Sequence, residues 1–246
     1  MQHDDAARRD LRPFHDALRA PGPSGVNIIA EVKRASPSKG MIRADLDPAG
    51  LAAAYAAGGA AAVSVLTEQR FFLGSPQDLQ RARAAAALPV LRKDFIVCDY
   101  QVYESAAMGA DALLLIVRIL SEAELADLIG LAASLGLTAL VEVYAEADLQ
   151  AAGRAGARLI GINNRNLASF DTDLGHTLRL LPQMRPEQTA VAASGIKTRE
   201  DIRRYQQQGV FNFLIGESLV RSENPATFLK DLMTSELVES EGSPHV

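Results

Sequence analysis

Glu31 and Lys33 lie two residues apart in an apolar run, so on a strand they place a carboxylate and an amine on one face. The strand then breaks at Ser36, Pro37 and Gly40. Taken alone, the segment also fits an edge strand with solvated charges. The pattern recurs, however: Ile29 precedes Glu31, Leu91 precedes Lys93 and Leu140 precedes Glu142, each by two positions, so each charge continues an apolar face. Phe95 follows Lys93, and Asn163 and Arg165 close another run. One polar strand end is ordinary. Two lysines and two glutamates in phase predict a mixed cluster, and such clusters shift pKa values toward general acid and base work.

Two further runs end in small-residue turns, Ala192-Ala193-Ser194-Gly195 and Leu214-Ile215-Gly216-Glu217-Ser218. Glycine lets the backbone approach a ligand closely, and amides opening a helix attract phosphate. Gly195 and Gly216 by themselves fit tight turns equally well. At Glu217 only the backbone amide suits an anion, so its carboxylate is expected to point away.

These groups need elements to hold them. Short β-rich runs occur at 26–33, 61–67, 89–95, 112–117, 138–144, 159–164, 189–193 and 211–216. Ala/Leu-rich segments of helical period separate them, such as 122–135, where Leu125, Leu128, Ile129, Ala132 and Leu135 form one stripe. The interval from strand to strand averages about 26 residues, the length of one βα unit, and eight units fill the chain. A closed (β/α)8 TIM barrel follows. The open, doubly wound alternative carries a Gly-rich turn after its first strand, where this chain has Arg34-Ala35-Ser36-Pro37-Ser38-Lys39-Gly40. In such a barrel the active site sits at the C-terminal mouth, with the anion site beyond strands seven and eight, which is where the polar ends and the small-residue turns fall. The whole chain, 1–246, reads as one domain. A short amphipathic helix over 5–19, with Leu11, Phe14 and Leu18 on one face, lies across a barrel end; the barrel spans 26–232; a flexible acidic tail occupies 235–246.

Composition narrows the function classes. A chain of 246 residues, 48% hydrophobic, can bury one large core. A formal charge of −5 with no basic block argues against nucleic acid. Cys98 is the only cysteine, which excludes an intrachain disulfide and a thiol metal cluster. His3, His15, His176 and His245 lack ligand spacing, so no metal site is expected. The first residues carry no signal-peptide core, and no apolar run approaches the roughly 18 residues of a membrane span, so a cytoplasmic protein without membrane contact is expected.

With these residues in place, the chain resembles the indole-3-glycerol phosphate synthase family over nearly its whole length. The resemblance rests on Glu31-Val32-Lys33-Arg34-Ala35-Ser36-Pro37-Ser38, Phe72-Leu73-Gly74-Ser75, Leu91-Arg92-Lys93-Asp94-Phe95-Ile96, Leu140-Val141-Glu142-Val143, Gly161-Ile162-Asn163-Asn164-Arg165-Asn166-Leu167, Ala193-Ser194-Gly195-Ile196 and Phe213-Leu214-Ile215-Gly216-Glu217-Ser218, in the family's order. It implies conversion of 1-(o-carboxyphenylamino)-1-deoxyribulose 5-phosphate to indole-3-glycerol phosphate, with loss of CO₂ and water, no cofactor and a monomeric enzyme. It makes Lys93 the general acid of ring closure and leaves Glu31, Lys33 and Glu142 to share the acid and base roles of dehydration. Lys33 is left facing either the phosphate or the anthranilate carboxylate. Phe72, Phe95 and Pro37 would pack on the aromatic ring, although lone aromatics are more often core residues. Asn163 and Arg165 would orient the substrate, and the amides around Ser194, Gly195, Gly216 and Glu217 would hold the phosphate. Ser36 and Leu214 complete the implied binding set.

One position departs from the family pattern. Ala193 stands where members carry a mouth-facing glutamate, in Glu-Ser-Gly-Ile, and the segment before the first strand is expected to be shorter than the family's N-terminal extension. Two alternatives follow. One is a related barrel such as phosphoribosylanthranilate isomerase, whose cysteine chemistry would belong at the end of strand one, while Cys98 lies past strand three. The other is a barrel that binds the phosphorylated ligand but has lost catalysis.

Overall fold

Alternation along each strand sends one set of side chains inward and the other beneath the helices, and both sets are apolar. The computed structural model describes residues 10–166 and 169–234. Its parallel strands are β1 (Asn27–Val32), β2 (Ala62–Leu66), β3 (Val90–Lys93), β4 (Ala112–Ile116), β5 (Thr138–Val143), β6 (Leu159–Asn163), β7 (Thr189–Ala193) and β8 (Asn212–Ile215). They pair in sequence order and close where β8 returns to β1, with Ile29 opposite Leu214. Each strand lies within two residues of its expected run. Lys33, Tyr144 and Asn164 fall one residue past a strand end, and Phe95 falls two past.

Between the strands run α1 (Pro48–Ala57), α2 (Pro76–Ala85), α3 (Asp99–Met108), α4 (Glu122–Ser134), α5 (Glu146–Arg154), α6 (Gly175–Leu180) and α7 (Arg199–Gln206), with α8 (Glu217–Arg221) and α9 (Pro225–Met233) after β8. Their starts are set locally. Asp47 accepts from the Ala49 and Gly50 amides ahead of Pro48, and Ser121 with Glu124, like Thr198 with Asp201, forms a reciprocal capping box. On α4 the expected stripe is realised: Leu125, Leu128 and Ala132 are buried, while Ile129 and Leu135 pack against the same cluster. Among the described residues no helix is long and apolar enough to cross a membrane.

The barrel interior is one cluster that includes Ile29, Ala62, Leu91, Leu114, Leu140, Leu159, Val191 and Leu214. Because alternate strands of such a barrel contribute to one interior layer, Ile29, Leu91, Leu140 and Val191 lie beneath Glu31, Lys93, Glu142 and Ala193, two residues further along β1, β3, β5 and β7. The apolar partners noted in the sequence are therefore interior, and their charged successors face the C-terminal mouth.

Phe14 and Leu18 plug the opposite end within that cluster. The helix expected over 5–19 is not what carries them. Over residues 10–19 there is a single 3-10 turn, Asp16–Leu18; residues 5–9 lie outside the described residues, as does the expected tail at 235–246. The reason is competition for hydrogen bonds. The Arg12 amide donates to Asp111 (2.8 Å), its guanidinium donates to the Ala86 and Leu88 carbonyls (2.6 and 2.7 Å), and Pro13 has no N–H to offer a helix. Leu11 is consequently left partly exposed.

Candidate active site

Glu31 leaves β1 pointing into the mouth, and its neighbour on the same face answers it: Lys33 Nζ donates to Glu31 Oε1 at 2.6 Å. Across the barrel, Lys93 Nζ lies 3.6 Å from Glu142 Oε2, and Asn163 Nδ2 donates to Glu142 Oε1 at 3.3 Å. Glu31, Glu142 and Asn163 are buried, whereas the two lysine side chains keep slight exposure at 17% and 19%, enough to meet a ligand. Burial pushes the Glu31 carboxyl up, but the charges of Lys33 and Lys93, the Lys33 hydrogen bond and Arg165 together outweigh it and hold it below the usual carboxylate range. Burial likewise pulls the Lys93 ammonium down, and the charges of Glu142 and Glu31 with the Glu142 hydrogen bond reverse this and raise it. Lys93 thus feels both carboxylates, and the four groups form one electrostatic unit.

Arg165 reaches the mouth from the loop after β6. Its Nη1 donates to Ser38 Oγ at 2.7 Å, tying this loop to the one after β1, and its amide donates to Asn163 Oδ1 at 3.0 Å. Ser38 was not picked out from the sequence; only this contact reveals it. Pro37 is exposed beside it, and the buried Ser36 hydroxyl has no hydrogen-bond partner among the described residues. Phe72 and Phe95 come from the loops after β2 and β3 and meet at 6.2 Å between ring centroids, tilted by 51°. Phe95 is 41% exposed, so the two rings form a half-open apolar wall. Ser64, on β2 opposite Glu31 in the strand register, is also fully buried, with no hydrogen-bond partner among the described residues. It shares the strand face of Ala62 and Leu66, two residues to either side, and that periodicity puts it inside the barrel, although it is not among the site residues expected from the sequence.

The two small-residue turns differ from each other. After β7, Ser194 and Gly195 both have positive φ, +70° and +84°, and α7 begins only at Arg199, so these amides belong to a left-handed turn and not to a helix start. A Cβ on Gly195 would also sit 2.4 Å from Thr172 Cγ2. After β8, α8 starts at once. Gly216 there has an ordinary φ of −128°, and its need is space: a Cβ would lie 2.5 Å from Glu31 Oε1. The Glu217 carboxylate turns away to Arg221 Nε (3.2 Å), leaving its backbone for the mouth. Leu214 is buried in the interior cluster, and Ala193 stands beside Asn163 and Leu214 in the strand register.

A closed barrel of parallel strands whose mouth gathers two ammonium–carboxylate pairs defines a (β/α)8-barrel enzyme. Residues 1–232 match the family model for indole-3-glycerol phosphate synthase. The chain is 59% identical over 229 residues to the indole-3-glycerol phosphate synthase of Desulfosudis oleivorans, covering 93% of this chain and 87% of that one. It is 51% identical to that of Syntrophobacter fumaroxidans, covering 94% and 88%. Among solved structures, 3-hexulose-6-phosphate synthase from Salmonella typhimurium aligns with a TM-score of 0.65 at 12% identity (84% and 96% covered), and thiamine phosphate pyrophosphorylase from Pyrococcus furiosus with 0.63 at 15% (84% and 93%), a likeness of fold. The chain belongs to the indole-3-glycerol phosphate synthase family, carboxy-lyases of tryptophan biosynthesis.

Proposed function

We propose that this mouth closes the pyrrole ring of 1-(o-carboxyphenylamino)-1-deoxyribulose 5-phosphate, and that Lys93 is its general acid. The observation that carries this is Lys93 Nζ, held protonated between Glu142 and Glu31 while still open to a ligand. The ring carbon bearing the carboxylate bonds to the ribulose carbonyl carbon, and the carbonyl oxygen takes a proton from the Lys93 ammonium, which also stabilises the developing oxyanion. Breaking the bond to the carboxylate releases CO₂ and returns the electron pair to the ring. The hydroxyl then departs as water with a proton from one group while another removes the remaining proton, and Glu142, Glu31 and Lys33 share these tasks. Phe72, Phe95 and Pro37 flank the aromatic ring; Asn163, Arg165 and Ser36 orient the chain of the sugar; Leu214 floors the site; the amides at Ser194, Gly195, Gly216 and Glu217 take the phosphate. The proposal includes a cytoplasmic monomer, which light scattering checks for oligomeric state. A fluorescence assay for the indole product from the synthetic carboxyphenylamino sugar tests the activity directly.

Two results are expected. First, Glu31 is lowered from 4.5 and Lys93 raised from 10.5. The Glu31 ion pair therefore contributes fully above 4.5 and is lost as pH falls through the lowered value, and the Lys93 pair contributes fully below 10.5 and is lost as pH rises through the raised value. A kcat profile should accordingly have no alkaline limb below 10.5 from the acid; one near neutrality would assign that role elsewhere. Second, Glu31 and Glu142 suffice without a carboxylate at position 193, so Ala193→Glu should change kcat by less than about tenfold. Product formation by the glutamate variant only would favour the ligand-binding, non-catalytic barrel. A reduced, unreactive substrate analogue separates these readings further, because a mere binder saturates with it and never turns substrate over. The isomerase alternative has no cysteine to use here: Cys98 is exposed just ahead of α3, with its Sγ toward Gln101.

A further inference from the structure

Behind the Ser194–Gly195 turn lies a buried polar network that the chemistry above does not use. Asn164, one residue past β6, is 1% exposed, and every hydrogen-bonding capacity of its side-chain amide is filled. Its Nδ2 donates to the Ser194 carbonyl (3.1 Å) and to Tyr205 Oη (2.8 Å), and its Oδ1 accepts from the Thr177 amide (3.1 Å) and hydroxyl (2.8 Å). Its backbone N–H donates to the Ala193 carbonyl at 2.8 Å. Tyr205, fully buried on α7, donates its own O–H to the Leu174 carbonyl at 2.7 Å. One side chain thus joins the end of β6, the turn after β7, the start of α6 and the flank of α7.

We propose that Asn164, braced by Tyr205, is a positioning residue that sets the anion-binding shape of the Ser194–Gly195 turn. Ser194 holds a left-handed conformation that costs a residue with a side chain free energy, so something outside the turn must stabilise it. The bond from Asn164 to the Ser194 carbonyl does so. It also fixes direction: in a planar trans peptide the C=O and N–H point opposite ways, so drawing the Ser194 oxygen toward Asn164 aims the Gly195 N–H away from it. Among the described residues that N–H has no protein acceptor. Thr177 holds the Asn164 oxygen and the Tyr205 hydroxyl takes the second amide proton, so the two together keep the amide in the orientation that donates to Ser194; removing the hydroxyl leaves that buried proton without its acceptor and loosens the bond to Ser194. The inference rests on the phosphate assignment made above.

The test compares wild type, Asn164→Ala and Tyr205→Phe by steady-state kinetics with inorganic phosphate as a competitive inhibitor. Tyr205→Phe removes one hydroxyl and keeps the ring beside Phe213 (5.8 Å between centroids), so it remains informative if Asn164→Ala fails to fold. Both variants should raise KM and the phosphate inhibition constant together, roughly fivefold to tenfold, with kcat changed by less than about twofold. A lower melting temperature with an unchanged inhibition constant would mean a purely structural network and overturn the inference alone. If inorganic phosphate does not compete in the wild type, the phosphate assignment falls and takes the inference with it.

Discussion

Lys93→Ala is expected to abolish measurable synthase activity, a fall of about 10³ or more in kcat, while the barrel stays folded. Both halves follow from the pairing in the mouth. The substitution removes the ammonium that would protonate the carbonyl and stabilise the oxyanion, and no neighbouring group replaces it, because Lys33 is already engaged by Glu31 at 2.6 Å. Glu31 keeps Lys33, whereas Glu142 loses its counter-charge and keeps only the Asn163 hydrogen bond, so the variant should melt at a lower temperature while the barrel, whose interior cluster is untouched, still forms. Single-turnover product formation and a melting curve on the same sample check both halves. Turnover close to wild type would remove Lys93 from the acid role.

Gly216→Ala is expected to lower kcat/KM by about 10², although it adds a single methyl. Backbone strain is not the reason, since φ is −128°. The added carbon would lie 2.5 Å from Glu31 Oε1 and 3.2 Å from its Cδ. Glu31 must therefore swing away, which breaks the bond to Lys33 and alters the charge that Lys93 feels. Gly130→Ala on α4 is the control, because a methyl there meets nothing within 4 Å. Unchanged kcat/KM in Gly216→Ala, at a melting temperature like that of the control, would mean the position of the Glu31 carboxylate does not matter to the reaction.

Much of this site was legible along the chain because strand periodicity is a local property. An apolar residue two positions before Glu31, Lys93 or Glu142 states which face each charge occupies, and the alternation of strands with helical stripes states that the strands run parallel. The Glu31–Lys33 pair needed only that periodicity, since both partners lie on one strand face. The N-terminal segment shows where local reasoning stops. Leu11, Phe14 and Leu18 have helical spacing, but Asp111, Ala86 and Leu88 claim the Arg12 donors, and a 3-10 turn results.

What the amino-acid order determined was the eight-fold βα repeat, the inward phase of two lysines and two glutamates, and the small residues after the last two strands. Only the closed barrel decided that Lys93 pairs with Glu142 from β5, a strand not adjacent to its own, because strand stagger around a barrel brings alternate strands into one interior layer. Closure likewise decided that Gly195 serves a left-handed turn while Gly216 makes room for Glu31, and that Asn164 reaches the Ser194 carbonyl 30 residues ahead of it. These are contacts between residues distant in the chain, and no local pattern encodes a distance that only the folded ring of strands creates.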